Sequence, residues 1–254
     1  MSERRDDLIA FLDATLEAAA FPDYGPMGLQ VVGSERVERV VTAVSSSLAL
    51  FEQAAQARAQ LVVVHHGLFW DRDSRVVSRV MRDRLRALFD ADINLAAYHL
   101  ALDAHDSLGN NAQIVRALGL EPESTPFAVS GGQPIGKIAR ATQPLSPSSL
   151  VERVETAIGR PHATFMHGPS SIRQVAVCSG SGASFIQEAQ SLGADALLTG
   201  DMAEPAEMQA RELGIHFIAA GHYATEVFGV RALAGLIAEQ RDCEASFLDL
   251  PTIA

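Results

Sequence analysis

The 254-residue chain is long enough for one large or two ordinary α/β domains, and 48% of its residues are apolar, so it can bury a sizeable core. Its formal net charge of −11 argues against nonspecific nucleic-acid binding, which needs clustered Lys and Arg against phosphates. Cys178 and Cys243 lie far apart and match neither a disulfide framework nor a thiolate metal site. Neither a signal peptide nor a membrane-spanning run is recognisable, so we expect a cytoplasmic protein.

The first half of the chain alternates predicted helices and strands. An amphipathic helix is expected over about residues 4–19, because Leu8, Leu12 and Leu16 recur at helical spacing among charges. Further strands are predicted at about 29–33, 37–44, 61–66 and 93–99, and further helices at about 48–54, 75–90 and 111–118. Residues 100–111 are predicted to form a polar loop.

The last third of the chain repeats this order. A linker is expected at 121–126, and strands are predicted at about 135–140, 172–178, 194–201, 215–220 and 247–250. Helices are predicted from about 146, over 183–192 and 203–213, and from about 221 onward. The shared β-α-β-α-β order predicts an α/β fold with parallel strands, in which ligand sites lie beyond the carboxyl ends of the strands. We expect two domains, residues 1–125 and residues 126–254.

Two adjacent histidines, His65 and His66, end the predicted buried strand that begins with Leu61-Val-Val-Val. Neighbouring strand residues point to opposite faces, so the two imidazoles are placed to serve two metal ions, or one metal ion and a substrate. Gly67 follows them and lets the backbone turn sharply. The alternative interpretation is a pair of solvated or hydrogen-bonded loop histidines.

Two further pairs combine imidazole with carboxylate at a spacing of four residues. His222 and Glu226 share one face if a helix begins at this point, and both side chains are donors for first-row transition metals. His99 and Asp103 follow a predicted strand, where a carboxylate is well placed to bridge two metals. The alternatives are a surface His–Glu pair and a loop-capping aspartate.

Together these stretches supply five candidate metal ligands, His65, His66, Asp103, His222 and Glu226. The first three lie in the predicted domain 1–125 and the last two in 126–254. Five donors exceed one closed tetrahedral site, but with waters and a bridging carboxylate they suit two divalent metal ions roughly 3.5–4 Å apart. Fe, Zn, Mn, Co and Ni all accept such donors. The nearby His105 and Asp106 are interpreted as solvated loop residues.

Four segments resemble, in order and spacing, the Nif-three-like dinuclear metal-centre family, whose members include homologues of GTP cyclohydrolase I type 2. The segments are Val64-His-His-Gly-Leu-Phe-Trp70, Tyr98-His-Leu-Ala-Leu-Asp103, Leu198-Thr-Gly-Asp201 and Gly221-His-Tyr-Ala-Thr-Glu226. The resemblance extends from Gly28 to the last helix and implies that the metal ligands fall on the same five residues. It also implies two similar three-layer α/β domains with mostly parallel sheets, a dinuclear metal cleft between the domains, and a toroidal homohexamer.

The chain departs from the family pattern in two places. The family commonly has His-Thr-Asn-Leu-Asp where this chain has His99-Leu-Ala-Leu-Asp103, so the ligand is kept while a polar pair is lost. Many members carry a His pair after Thr-Gly-Asp, where this chain has Ala203-Glu-Pro205. His99 is then a candidate catalytic proton carrier or a residue that supports the ligands, and a purely structural role is the alternative.

The resemblance implies a metal-dependent hydrolase that uses metal-bound hydroxide on a small molecule. With GTP as the substrate, the purine ring would open at C8 with release of formate. The alternatives are a dinuclear phosphoesterase or amidohydrolase, and a non-catalytic hexameric scaffold or regulatory protein. The turn Ser179-Gly-Ser-Gly182 has two interpretations, an N–H cradle for phosphate or a plain strand-to-helix turn.

Overall fold

A computed structural model describes residues 2–252, so residues 1, 253 and 254 lie outside the description. The strands are β1 (Glu3–Arg4), β2 (Gly28–Val31), β3 (Arg36–Val37), β4 (Arg39–Ser45), β5 (Leu61–His66), β6 (Asn94–Ala97), β7 (Glu121–Pro122), β8 (Val129–Ser130), β9 (Gln133–Pro134), β10 (Lys137–Leu145), β11 (Ala163–Met166), β12 (Ile172–Cys178), β13 (Ala196–Thr199), β14 (His216–Ala219) and β15 (Glu244–Phe247). The α-helices are α1 (Arg5–Thr15), α2 (Leu48–Gln56), α3 (Arg79–Asp90), α4 (Leu100–Ala104), α5 (Asn110–Ala117), α6 (Pro147–Ala157), α7 (Ile186–Ser191), α8 (Ala206–Leu213) and α9 (His222–Gln240). Among the described residues, no helix has both the length and the apolar character that crossing a bilayer requires.

The described chain divides into two compact units at different positions from the predicted boundary at residues 125 and 126. The first unit contains the described residues up to Leu102 together with Gly229–Leu250, and the second contains Asp103–Phe228 and the described residues after Leu250. The C-terminal segment joins the first unit because β15 pairs in parallel with β4. Asp103 therefore belongs to the second unit rather than to the unit of His65 and His66.

The first unit is a three-layer α/β structure. Its sheet has the order β15-β4-β5-β6-β2, in which the first four strands are parallel and β2 is antiparallel to β6. On one face Val62 and Val64 of β5 pack in a cluster with Phe51 of α2, all of them buried. The opposite face meets the part of α9 in this unit, where the Thr42 hydroxyl donates to the Val230 carbonyl at 2.8 Å. Strand residues alternate between these faces, so β5 is buried on both sides and is rich in valine.

The second unit contains a mixed sheet with a parallel centre. Its order is β11-β14-β13-β12-β10-β7, with β12, β13 and β14 parallel and the other three strands antiparallel to their neighbours. The parallel strands confirm the predicted α/β class. The sheet as a whole is less parallel than predicted, since β10 and β11 are antiparallel to β12 and β14. β7 and β10 are also antiparallel, because the segment between them holds the β8–β9 hairpin instead of a crossover helix.

Several predicted bounds differ from the structure; for example, α1 ends at Thr15 and β15 spans Glu244–Phe247. Three of the differences have a clear physical reason. The predicted loop at 100–111 begins with α4, because the Asp23 carboxylate accepts the N–H of Leu100 at 2.9 Å and caps the helix from a distant part of the chain. The predicted linker at 121–126 contains β7, which pairs with β10. The helix predicted from residue 75 begins at Arg79, because the Ser78 hydroxyl accepts the N–H of Met81 at 3.2 Å.

Candidate metal centre

In the first unit, the two histidines at the end of β5 are each held through the Nδ1 atom. His65 is fully buried, and its Nδ1 lies 3.0 Å from the Tyr98 carbonyl oxygen. A carbonyl can only accept a hydrogen bond, so His65 carries its proton on Nδ1 and presents a lone pair at Nε2. His66 is held by a contact of 2.9 Å between Nδ1 and the Ser45 hydroxyl oxygen. Ligand histidines in metal sites are oriented in this way.

His99 joins these two histidines in the same unit. Its ring centroid lies 4.8 Å from that of His65 and 5.5 Å from that of His66. One nitrogen from each of the three rings lies within 4.8 Å of the others. A cavity of about 10 Å³, partly lined by His65, His99 and Trp70, has room for one water-sized occupant. His65 and His66 of this cluster are suited to hold a metal ion, and the His99 ring lies beside them.

Asp23 fixes the orientation of His99, although no pattern in the sequence predicted a role for Asp23. Its Oδ1 lies 2.8 Å from His99 Nδ1 and also accepts the N–H of Tyr24, while its Oδ2 accepts the N–H of Leu100. Burial raises the pKa of Asp23, but the hydrogen bond and charge of His99 and the two N–H groups outweigh burial and hold it below its ordinary value. The ionised carboxylate therefore holds the proton of His99 on Nδ1. Asp23 lies in the Pro- and Gly-containing break after α1, where no periodicity marks a functional residue.

In the second unit, His222 and Glu226 lie one turn apart at the start of α9. His222 Nε2 is 3.1 Å from Glu226 Oε1, and the Glu226 side chain is 3% exposed. His222 Nδ1 lies 2.7 Å from Asp201 Oδ2. The hydrogen bond that His222 donates to Glu226 raises the pKa of His222 to about 9, burial opposes this rise, and Asp201 adds to it. Asp201 ends the Leu198-Thr-Gly-Asp201 segment, but its spacing alone assigned it no role.

Asp103 lies in α4 of the second unit and not in the predicted loop. Asp103 is 5% exposed, and its Oδ1 accepts hydrogen bonds from the Asn110 side chain at 2.8 Å and the Ser179 hydroxyl at 3.0 Å. Ser179 is the first residue of a turn in which Gly180 lies against Glu226 and His222. Because the Ser179 hydroxyl also contacts Asp103, the second unit brings these three candidate ligands to the same turn.

The Ser179–Gly182 turn is a strand-to-helix turn in which three backbone N–H groups already have acceptors. They donate to side-chain oxygens within the unit, in the pairs Ser179–Asn111 (2.7 Å), Gly180–Thr225 (3.1 Å) and Gly182–Thr199 (2.9 Å). A phosphate would have to displace these acceptors, so the structure favours the plain turn over the phosphate cradle.

The remaining candidates have structural contacts. His105 Nδ1 accepts the N–H groups of Ser107 and Leu108, and Asp106 forms an ion pair with Lys137 at 2.6 Å. Cys178 is buried, as predicted, and burial raises the pKa of its thiol well above the ordinary value. These groups do not supply further metal ligands.

Comparison with known proteins identifies the family. A sequence profile described as Duf34/NIF3 (NGG1p interacting factor 3) matches residues 3–252. A relative from Escherichia coli (strain K12), named GTP cyclohydrolase 1 type 2 homolog, is 41% identical and covers 99% of this chain and 100% of its own length. The solved structure of protein ybgI has 39% identity and a TM-score of 0.93, covering 99% of this chain and 100% of its own. The solved structure of a Thermus thermophilus protein, TTHA1606, has 36% identity and a TM-score of 0.89, covering 98% and 99%. The chain therefore belongs to the Duf34/NIF3 family.

Proposed function

We propose that this protein is a metal-dependent hydrolase of a small molecule. Two divalent metal ions would be held by His65, His66, Asp103, His222 and Glu226. The observation that carries the proposal is the hydrogen-bonding partner at Nδ1 of His65, His66 and His222. Each has an oxygen partner at Nδ1, namely the Tyr98 carbonyl, the Ser45 hydroxyl and the Asp201 carboxylate. Solvated loop histidines need no such partners, whereas metal-binding histidines use them to direct Nε2 toward the ion.

The donor set fits a divalent transition metal. Imidazole and carboxylate without thiolate suit Fe, Zn, Mn, Co or Ni, and the buried Asp103 and Glu226 gain a compensating charge when a cation binds. When bound, such ions supply Lewis acidity toward the electrophile and lower the pKa of water to near neutrality.

His99 is the group we assign to proton transfer. Asp23 holds the His99 proton on Nδ1, so Nε2 is available to accept a proton from water and to return it to a leaving group. The same Asp–His arrangement fixes the tautomer of the general base in serine hydrolases. Replacing Asp23 with Asn should therefore slow turnover while leaving the five proposed metal ligands unchanged.

The substrate we propose is a purine nucleotide such as GTP, with hydrolysis at C8 opening the imidazole ring and releasing formate. Support comes from relatives about 40% identical that are named GTP cyclohydrolase 1 type 2 homolog. The committed N–H groups of the Ser179–Gly182 turn imply that the triphosphate is bound by other groups or by the metal ions.

Turnover of purified, metal-free protein reloaded separately with Fe²⁺, Zn²⁺, Mn²⁺, Co²⁺ or Ni²⁺ tests this function. GTP, GDP, GMP and ATP are supplied, and formate release is measured together with the loss of the purine absorbance. We expect formate from a guanine nucleotide with at least one metal, and none from Glu226→Gln. Glu207→Gln, which changes an exposed residue paired with Arg211, is the matched control and should retain activity. Absence of formate with all five metals would overturn the proposal.

A non-catalytic metal-binding scaffold is the second candidate. One observation favours it: the two positions after His99 hold the apolar Leu100 and Ala101, which are buried in α4 and contribute no polar side chain to the ligands. This candidate predicts metal binding without turnover. Substituting Leu100→Thr and Ala101→Asn together would restore the commoner family pattern, and activity gained only in that double variant would support the scaffold assignment for the natural chain.

A further inference from the structure

The Ser179–Gly182 turn contacts the surroundings of three proposed metal ligands in the second unit. The first contact is through Ser179, whose hydroxyl donates to Asp103 Oδ1 at 3.0 Å in a buried environment. Asn110 donates to the same oxygen, so two donors hold this carboxylate in one orientation. The hydroxyl therefore helps to hold the Asp103 carboxylate in one orientation before any cation arrives.

The second contact reaches His222 through Asp201. The Ser181 hydroxyl donates to Asp201 Oδ2 at 2.6 Å, and the same oxygen lies 2.7 Å from His222 Nδ1. The Asp201 backbone N–H donates to the Gly180 carbonyl at 2.8 Å, which ties the end of β13 to the turn. Asp201 is therefore anchored to the turn through both its carboxylate and its backbone, and the carboxylate orients the imidazole so that Nε2 points away from Asp201.

Gly180 is the third point at which the turn approaches the ligands, and it has no side chain. Its φ of +59° lies in the left-handed region that favours glycine. A Cβ at this position would overlap Glu226 Oε1 and lie 3.3 Å from His222 Nε2. The turn therefore leaves space that the two ligand atoms occupy.

We propose that the Ser179–Gly182 turn, together with Asp201, positions Asp103, His222 and Glu226 for metal binding. Ser179, Ser181 and Asp201 are positioning residues, which act through the ligands and not on the substrate. This inference rests on the metal binding in the proposed function, but it does not depend on hydrolysis. It gives a role to a turn whose glycines and serines otherwise suggest phosphate binding.

The affinity of the full-length protein for Zn²⁺ and for Co²⁺, measured separately by competition with a chromogenic chelator, tests this role. Removing an outer partner of a ligand typically costs about 10- to 100-fold in metal affinity. We expect a loss of this size for Ser179→Ala and Asp201→Ala, and a smaller one for Ser181→Ala. Gly180→Ala should cause the largest loss, because its methyl group displaces a ligand atom.

Two comparisons separate positioning from general destabilisation. Asp201→Asn keeps an oxygen acceptor for His222 Nδ1 but loses the charge, so its affinity should lie between those of wild type and Asp201→Ala. Ser191→Ala removes another exposed hydroxyl of this unit, one that donates only to the Glu188 carbonyl, and should bind metal as wild type does. The visible absorption spectrum of bound Co²⁺ should change in Asp201→Ala and not in Ser191→Ala.

The outcomes distinguish this inference from the proposed function. Wild-type affinity in Ser179→Ala, Ser181→Ala and Asp201→Ala would overturn the positioning role of the turn while leaving the proposed metal centre in place. Weakened metal binding in these variants, in a protein that hydrolyses no nucleotide, would support the positioning role of the turn and count against the proposed hydrolase. If Gly180→Ala fails to fold, the two serine variants decide the question, because each removes only one hydroxyl group.

Discussion

Single residues orient the candidate metal ligands of this protein through their hydrogen bonds. Asp23 and Asp201 act alike, since each places a carboxylate oxygen within 2.8 Å of the Nδ1 atom of a histidine. Each carboxylate holds the Nδ1–H of its histidine. In His99 this leaves Nε2 for proton transfer, whereas in His222 Nε2 lies 3.1 Å from Glu226 Oε1, where a bound metal ion would replace its proton. The effect of a substitution at either position should therefore appear in the behaviour of the partner histidine.

The first prediction at this scale concerns metal content. Glu226→Ala should remove at least one metal equivalent, because it deletes a buried carboxylate donor, and the fold should remain largely intact. Elemental analysis of the purified variant measures this loss. His105→Ala is the control, since its Nδ1 serves only to accept loop N–H groups, and it should retain all its metal. Unchanged metal in Glu226→Ala would contradict the ligand assignment.

The second prediction concerns pH. In the metal-free protein the pKa of His222 is raised to about 9, so at pH 7 a metal ion must displace a proton from this residue. Metal affinity should therefore rise with pH up to about 9, with proton release during binding. Titration calorimetry in buffers of different ionisation enthalpy counts the protons. Glu226→Gln removes the largest cause of the shift, so the proton count from His222 should fall; an equal count in both proteins would contradict this assignment.

At the scale of the elements, each unit gathers its functional groups at the carboxyl ends of three parallel strands. In the first unit Ser45 ends β4, His65 and His66 end β5, and His99 follows β6. In the second unit the strands are β12, β13 and β14, followed by the Ser179–Gly182 turn, Asp201 and His222. Parallel strands end at the same edge, so groups distant in sequence become neighbours there.

The stability of the central strand can be tested with matched valines. Val63 of β5 is fully buried, so Val63→Ala should lower the free energy of unfolding by roughly 2 kcal/mol. Val76 is 77% exposed, and Val76→Ala should change the free energy of unfolding by less than about 0.5 kcal/mol. Urea denaturation followed by circular dichroism measures both. Equal effects at the two positions would mean that β5 is not part of a packed core.

A helix terminus gives a second prediction at this scale. Asp23→Ala removes the acceptor for the Leu100 N–H at the start of α4, and loss of such a cap costs about 1 kcal/mol. Asp23→Asn can keep its one oxygen on the Leu100 N–H and should recover much of this stability. Its amide NH2 group then faces His99 Nδ1 and cannot accept the Nδ1 proton, so turnover should still be slowed. Thermal unfolding and turnover measured on both variants separate the capping role from the catalytic one. A stable but inactive Asp23→Asn is the expected result.

At the scale of the whole molecule, we propose a homohexamer, as the family resemblance implies. Light scattering of the purified protein should then give a mass six times that of the 27.1 kDa chain. A monomer mass at micromolar concentration would contradict this assembly, without affecting the metal-binding predictions, which concern the ligands of single chains.

Local features of the chain were predictable from the sequence. The alternation of strands and helices and the parallel strands at the centre of each sheet followed from periodicity, and the approach of His222 to Glu226 followed from their spacing of four residues. These properties depend on a few neighbouring residues. The family itself was recognisable from short segments whose order is preserved along the chain.

The tertiary structure alone decided which residues support the ligands and where the units divide. Asp23 reaches His99 across 76 positions, Ser179 reaches Asp103 across 76, and Asp201 reaches His222 across 21. β15 belongs to the first sheet only because it pairs with β4, some two hundred residues earlier in the chain. No local periodicity encodes such contacts, because they exist only after strand pairing has brought the strand ends together.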